Sequence, residues 1–215
     1  MTDRLERIFA LIPSCEVFAD VGCDHGYIAY EMIKRGKAKK VIIADISKKC
    51  LSKAELLLAP FIEQNKAISV VANGFNGLPE SDVGLVAGMG GEEICSILEN
   101  AKSLPKTLVL QPMKNADKVR KCVVKLGYKI EKDFVFYSAD KFYDIMLLSV
   151  GEDNLTQQEI EFGRDNILEK NPDFIRQIKS KIEVINGVLR GQTLSEGTKE
   201  KLIKEKEKLE KICVK

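Results

Sequence analysis

The 215-residue chain has one histidine, His25, and its six cysteines (Cys15, Cys23, Cys50, Cys95, Cys122 and Cys213) form no CxxC pair. Those two shortages leave no Cys/His zinc cluster and give no reason to expect a metal. The scattered thiols read instead as free, buried cysteines of a reducing compartment. No apolar run is long enough to span a bilayer. The opening residues, MTDRLERIFALIP, carry acids in their first turns and no secretory h-region, so the expected location is the cytoplasm. Excess charge is also missing: 34 Lys and Arg against 32 Asp and Glu give a net +2. That excludes a uniformly basic nucleic-acid binder and leaves room for a local basic patch. No internal repeat or low-complexity linker occurs. What is present, 45% hydrophobic residues in an ordinary mixture, suffices for one sizeable domain with an appendage.

A first helix is expected over TDRLERIFALI, where Leu5, Ile8, Phe9 and Ile12 recur at helical spacing, Thr2 or Asp3 offers a cap and Pro13 stops the run. Strands and helices then alternate. Strands are predicted at 17–21, 39–45, 67–73, 82–88 and 107–112. Helices are predicted at 26–35, at 47–59 behind the cap Ser47, through EEICSILEN and through ADKVRKCVVKL. Residues 129–151 change character and read as an antiparallel hairpin broken at SADK. Five β-α units followed by a hairpin predict a Rossmann-like α/β fold, a seven-stranded, mostly parallel sheet covered by helices on both faces. From Leu155 onward the pattern is helical only, broken at Asn171-Pro172 and at 191–198, and reads as a coiled-coil-like antiparallel helical hairpin. The expected division is a domain over 1–153 and a helical unit over 154–215. Ligands of such sheets bind beyond the carboxyl ends of the strands.

At the first of those ends stands VFADVGCDHGYIAYEM, 17–32. A dinucleotide fold needs G-x-G-x-x-G so that backbone N–H groups face a pyrophosphate. Here the turn is Gly22-Cys-Asp-His-Gly26, with Asp24 in place of the middle glycine, and no G-K-[ST] follows. Carboxylates at Asp20 and Asp24 repel a phosphate and attract a cation. S-adenosyl-L-methionine (SAM) matches: it has adenosine, no phosphate, a sulfonium and an amino group. Asp20 and Asp24 would hold the positive groups, and Gly22 would let the methionine portion lie against the backbone. Asp45 ends the second strand about 20 residues on, the place of an acid that accepts both ribose hydroxyls. Helix capping by Asp24 or Asp45 is the plainer alternative for each.

DVGCDHGY, the AGMGGEE after strand four, the LQP after strand five and KFYDIMLLSVG resemble the bacterial tRNA adenine-22 N1-methyltransferase family, over nearly the whole chain. The resemblance implies a class I methyltransferase fold with a C-terminal coiled-coil unit, and methylation of N1 of adenine 22 in the tRNA D-loop. It implies cofactor contacts at Asp20, Gly22, Asp24 and His25, ribose contacts at Asp45, backbone contacts around Gly88 and Met89, and a QP segment beside the target base. Two positions depart from that family. Asn73, before Gly74, stands where it usually has an aspartate facing the cofactor's adenine, and an amide oxygen can still accept from the adenine amino group. Met113 stands where an asparagine usually follows QP, leaving Gln111 as the polar group there, with Pro112 and Met113 as apolar packing.

N1 of neutral adenine has a free lone pair, so its methylation needs alignment more than a base. Asp24 and Gln111 are the catalytic candidates, Asp24 by stabilising a moving positive charge. N1 lies on the pairing edge, so the base must be extruded into the pocket; Tyr27, Tyr143 and Phe75 are available to stack on it, although Phe75 reads better as core. His25 reads as a loop-shaping hydrogen-bonder. Arg4, Arg7, Lys114, Lys118, Arg164, Arg176 and Arg190 are candidates for RNA phosphates. A monomer is expected. Two other readings stay open: a SAM-dependent methyltransferase of a small molecule or protein, and a helical-hairpin interaction protein with a vestigial pocket.

Overall fold

The structure, a computed structural model, describes residues 1–191 and 194–213. The expected break over 191–198 therefore lies partly outside the described residues.

Helix α1 (Asp3–Leu11) starts at Thr2, whose hydroxyl accepts from the Leu5 N–H, and buries Ile8 and Phe9. Four β-α units and a lone strand follow in this order: β1 (Cys15–Val21) with α2 (Tyr27–Lys34), β2 (Ala38–Asp45) with α3 (Lys48–Glu63), β3 (Ala67–Val71), β4 (Val83–Met89) with α4 (Gly91–Glu99), and β5 (Thr107–Pro112) with α5 (Ala116–Lys125). Helix α3 outruns its expected end at residue 59 and carries Pro60 in its last turn. The proline withholds an N–H only from the Leu56 carbonyl, on the solvent side of the helix where Leu56 is 81% exposed. The hairpin is β6 (Tyr128–Ser138) and β7 (Lys141–Val150), joined by Ala139 and Asp140, both at positive φ. Two successive left-handed residues match the twist of a tight hairpin.

The sheet order is β3-β2-β1-β4-β5-β7-β6, with β7 antiparallel to both neighbours and the other pairings parallel. The order reverses between β1 and β4, and this is where ligands enter such sheets. One face is packed by α1, α2 and α3 through Ile8, Met32, Leu51 and Leu58, the other by α4 and α5 through Ile94, Leu98, Val119 and Val123.

Four further helices close the chain: α6 (Gln157–Phe162), α7 (Arg164–Glu169), α8 (Pro172–Gly191) and α9 (Glu196–Cys213). The last two form the expected hairpin around Phe174, Ile178, Ile185, Leu209 and Ile212. The first two were not separated by the sequence pattern; Gly163, at φ 85 and ψ 136, turns the chain between them. Together these helices cover the β6 edge of the sheet. The outward N–H groups of Ile130, Asp133, Val135 and Tyr137 donate to side-chain oxygens of Asp153, Asp165, Asn166 and Asp173, at 2.9–3.0 Å. An edge strand that would template pairing with another chain is thereby satisfied from within. Arg120 of α5 locks the same junction. It is 1% exposed, forks onto Asp133 through two 2.8 Å bonds, reaches Asp144 at 2.8 Å and donates to the carbonyls of Ile160 and Glu161.

Candidate active site

The carboxyl ends of β1 and β4 and the start of α1 enclose a cavity of about 550 Å³, lined by Arg4, Asp20, Gly22, Asp24, His25, Tyr27, Gly88 and Met89 among others. Eight of the residues singled out from the sequence thus meet there. They come from three stretches of the chain: α1, the β1–α2 turn with its flanking residues, and the end of β4.

The glycine loop is shaped by its own backbone. Gly22 sits at φ 77 and Gly26 at φ 72, a region L side chains adopt reluctantly. A Cβ on Gly22 would lie 1.8 Å from the Met89 methyl, and one on Gly26 would press on Ala54 of α3 at 2.9 Å. The N–H groups of Gly22 and Cys23 both donate to the Ala44 carbonyl, at 2.8 and 3.0 Å. These bonds continue the β1–β2 pairing past the end of the strand and pin the start of the loop to β2. Two carboxylates flank the loop, so its charge fits the cationic, phosphate-free end of SAM and opposes a pyrophosphate.

The two acids differ. Asp20 is buried without a cation beside it. Burial pushes its carboxyl up to about 6, against hydrogen bonds from the Cys23 thiol and the Ala29 N–H, in the first turn of α2. Burial and the neighbouring Asp20 raise the Cys23 thiol in turn, so it stays protonated and donates. Asp24 is half exposed, bonded to Lys53 Nζ at 2.7 Å, with His25 Nδ1 lying 2.7 Å from its other oxygen. The Lys53 ammonium, with His25, holds its carboxyl below the usual range. Asp24 does not cap α2: Gly26 holds that position with no side-chain cap, and Asp20 reaches the helix start instead. His25 and Tyr27 stack nearly parallel, 5° apart with centroids at 5.4 Å, and both are about half exposed at the mouth.

Asp20 makes a pH prediction possible. Its native pKa lies above its ordinary value of 3.8, so between about 4 and 6 the folded protein binds more protons than the unfolded chain, and this group's contribution to stability falls as pH rises through that window. Attraction for a cation runs the other way and is lost as pH drops through about 6. Calorimetric titration with SAM from pH 8 to 5 is expected to show affinity falling below about pH 6, and Asp20→Asn should flatten that dependence.

Other residues lie outside the cavity lining. Asp45 and Asn73 stand at the ends of β2 and just past β3, one and two strands along the same sheet edge. Asp45 Oδ1 accepts from the Ser47 N–H at 2.7 Å, while Ser47 itself caps α3. Asn73 is exposed; Gly74, at φ 65, is buried against Ile97. Phe75 is core, its ring edge 2.8 Å from where a Gly84 Cβ would sit. Three expectations for the base side meet a different geometry. Gln111 is fully buried and its amide is committed: Oε1 accepts from Arg4 Nε at 3.0 Å, and Nε2 donates to the Pro112 carbonyl at 2.9 Å and approaches Met113 Sδ at 3.6 Å. Tyr143 is 7% exposed, stacked on Phe136 and covered by the Arg4 guanidinium at 5.4 Å, so its faces are not open to a base. Pro112 is buried, while Met113 is 43% exposed.

Among the proposed RNA contacts, Arg164 is engaged by Asp153 and Glu159, Lys118 by Glu92, and Arg176 covers the Tyr137 ring at 3.7 Å. Arg7 is partly exposed beside Asp3, and Arg190 bonds the Asn186 carbonyl. Arg4 and Lys114 flank the loop after β4, against Gly88 and Gly90 respectively. Sequence reasoning missed Lys53, the partner of Asp24; its only signal was a lysine one turn into the helix after Asp45. Among the described residues no group of three or more His, Cys, Asp or Glu is placed to hold a metal ion, and no helix is long and apolar enough to cross a membrane.

This sheet order, with an antiparallel β7 and a ligand loop after β1, is the Rossmann-like class I methyltransferase fold. The chain belongs to the methyltransferase-domain family, whose model matches residues 1–146. It is 25% identical over 193 residues to the tRNA (adenine(22)-N(1))-methyltransferase of Bacillus subtilis, spanning 82% of this chain and 79% of that one. Two structures of Streptococcus pneumoniae Sp1610, a provisionally assigned tRNA (m1A22) methyltransferase, superpose with TM-scores of 0.92 and 0.89 at 24% identity over 100% of both chains. The second of these is in complex with SAM.

Proposed function

We propose that this protein transfers a methyl group from SAM to N1 of adenine 22 in the D-loop of tRNA. The observation that carries the cofactor half is the acid-bearing glycine loop at the mouth of the cavity, with Asp20 and Asp24 where a pyrophosphate would be repelled. The substrate half is supported by the Bacillus subtilis relative, matched along most of both chains. Asp20, Gly22, His25, Gly88 and Met89 would hold the methionine end, and Asp45, Asn73 and Gly74 the adenosine along the neighbouring strand ends.

Bound there, SAM supplies a methyl group already activated on a cationic sulfur. The protein's part is alignment, worth up to about 7–11 kcal/mol in favourable cases. Asp24, kept ionised by Lys53 and His25, places fixed negative charge near a positive charge that moves from sulfur to the ring. Tyr27, exposed and braced by the parallel His25 ring, is the stacking surface at the mouth for an extruded base, with exposed Met113 as apolar packing. No base needs to remove a proton, in keeping with a cavity whose single histidine is tied to Asp24.

We take residues 1–153 as the methyl-transferring part and 154–215 as its helical unit, acting as a monomer. A tRNA substrate places the enzyme in the cytoplasm, a reading that the six unpaired cysteines support. Incubation with methyl-labelled SAM and unmodified tRNA transcripts is expected to label the RNA. Label appearing only in protein or small molecules, with RNA unlabelled, would reject this substrate class.

A further inference from the structure

Helices α4 and α5 follow neighbouring parallel strands and run side by side on one face of the sheet. Away from the glycine-loop cavity, the seam between them holds a surface groove of about 370 Å³. The groove is built in rungs. Glu92 of α4 pairs with Lys118 of α5. One turn further along, Cys95 and Cys122 meet, and the turn after that brings Glu99 and Lys125 to the same groove. The middle rung is thus a pair of free thiols set between two acid–lysine rungs. Cys95 Sγ donates to the Lys118 carbonyl at 3.6 Å and accepts from the Cys122 thiol. Cys95 is partly exposed, and Cys122 lies deeper, at 7%. Neither sulfur lines the cavity beside the glycine loop, and the methyl transfer proposed above uses neither.

We propose that Cys95 and Cys122 form a modification site, a dithiol that a low-molecular-weight disulfide converts into an intramolecular disulfide bridging α4 and α5. This is independent of the SAM and tRNA reading. Sulfurs already in contact across two packed helices start near bonding geometry. In the first step the Cys95 sulfur, its proton lost to solvent, attacks one sulfur of the reagent. The reagent's S–S bond breaks, and one half leaves as a thiolate that takes up a proton. In the second step the Cys122 sulfur, deprotonated in its turn, attacks Cys95 Sγ in the mixed disulfide and expels the other half. The two protein thiols give up two electrons, and the reagent is reduced to two thiols. The order follows from access and hydrogen bonding. Cys95 is the more exposed sulfur, and the bond it accepts favours its thiolate, while burial pushes Cys122 up to about 12. Burial raises Cys95 as well, so formation is slow at neutral pH and quickens as pH rises. At equilibrium the same burial helps the bridge, because the reduced pair gains no stability as a thiolate. Lys118, Lys121 and Lys125 outnumber Glu92 and Glu99 around the groove, which suits an anionic peptide disulfide. In a reducing compartment the bridge would mark periods when such disulfides accumulate.

The test incubates folded, reduced protein with oxidised glutathione at about pH 8, where more thiolate is present. Remaining thiols are then alkylated, and the protein is digested without reductant for mass spectrometry. The expected product is a covalent link between the peptides carrying Cys95 and Cys122, with the intact protein lighter by two hydrogens. The melting temperature should rise by several degrees, because the bridge closes a loop in the unfolded chain, and reductant should reverse both changes. Cys122→Ser should stop the reaction at a glutathione adduct on Cys95, and Cys95→Ser should leave Cys122 free. Thermal melts confirm that each reduced variant is folded. Recovery of both wild-type cysteines as free thiols would overturn the proposal. So would a glutathione adduct that persists on Cys95 of the wild-type protein, or a link between the two that forms only in urea-unfolded chains.

Discussion

Alanine at Arg120 is expected to destabilise the fold by about 3–5 kcal/mol, the cost of removing one partner of a buried ion pair. Against a typical total of about 5–15 kcal/mol, much of the protein would then be close to unfolding at physiological temperature. The reason is the charge left behind more than the bonds lost. Asp133 is 1% exposed and would keep a carboxylate with its guanidinium gone, and Asp144 would lose its partner too. The carbonyls of Ile160 and Glu161, which tie α6 to the core, would lose their donor as well. Urea denaturation measures this directly. The triple variant Arg120→Ala, Asp133→Asn, Asp144→Asn should recover part of the loss, because it leaves no uncompensated charge. A single-variant loss below about 1 kcal/mol would contradict the role given to this cluster, since that is the worth of an exposed pair.

Gly22→Ala is expected to have the largest effect on ligand binding with the fold retained. A left-handed φ costs an L residue about 1–2 kcal/mol, and the new methyl would lie 1.8 Å from Met89 Cε, so the methionine must swing away. Met89 ends in a flexible thioether and can yield, so the protein should fold with a lowered melting temperature. The cavity wall would still carry a methyl where the methionine end of SAM is to lie against the backbone. SAM affinity should fall at least tenfold. Adding Met89→Ala should restore part of the melting temperature and little of the affinity. Calorimetry and thermal melts on the two variants separate these effects, and a Gly22→Ala protein that binds SAM as tightly as wild type would remove the loop from the site.

The strands and the loop were legible in the sequence because they are local. An apolar run ending in Asp20-Val21-Gly22, or in Asp45, announces a strand end and its chemistry within a few residues. The acid-for-glycine exchange at position 24 argued against phosphate, and the structure places both Asp20 and Asp24 in the lining of the cavity beside that turn. What escaped was pairing at long range. Gln111 looked like a polar group offered to a base because it ends a strand, yet its partner is Arg4, 107 positions away. Tyr143 looked equally available, but it is 7% exposed, packed against Phe136 and the Arg4 guanidinium. Asp24 was read as a bare charge, and its pairing with Lys53 across 29 residues has no local signature. Along β6, alternation predicted a hairpin strand but not that acids and an amide from 153–173 would satisfy its outer N–H groups, because a side chain's choice of backbone partner depends on the tertiary path.

The most direct test of the whole account uses purified protein, methyl-labelled SAM and two unmodified transcripts of one tRNA, the first with adenine at position 22 and the second with guanine. The account predicts labelling of the first transcript and not the second, with the methyl mapped to N1. Equal labelling of both, or labelling of neither by a protein that binds SAM, would contradict it.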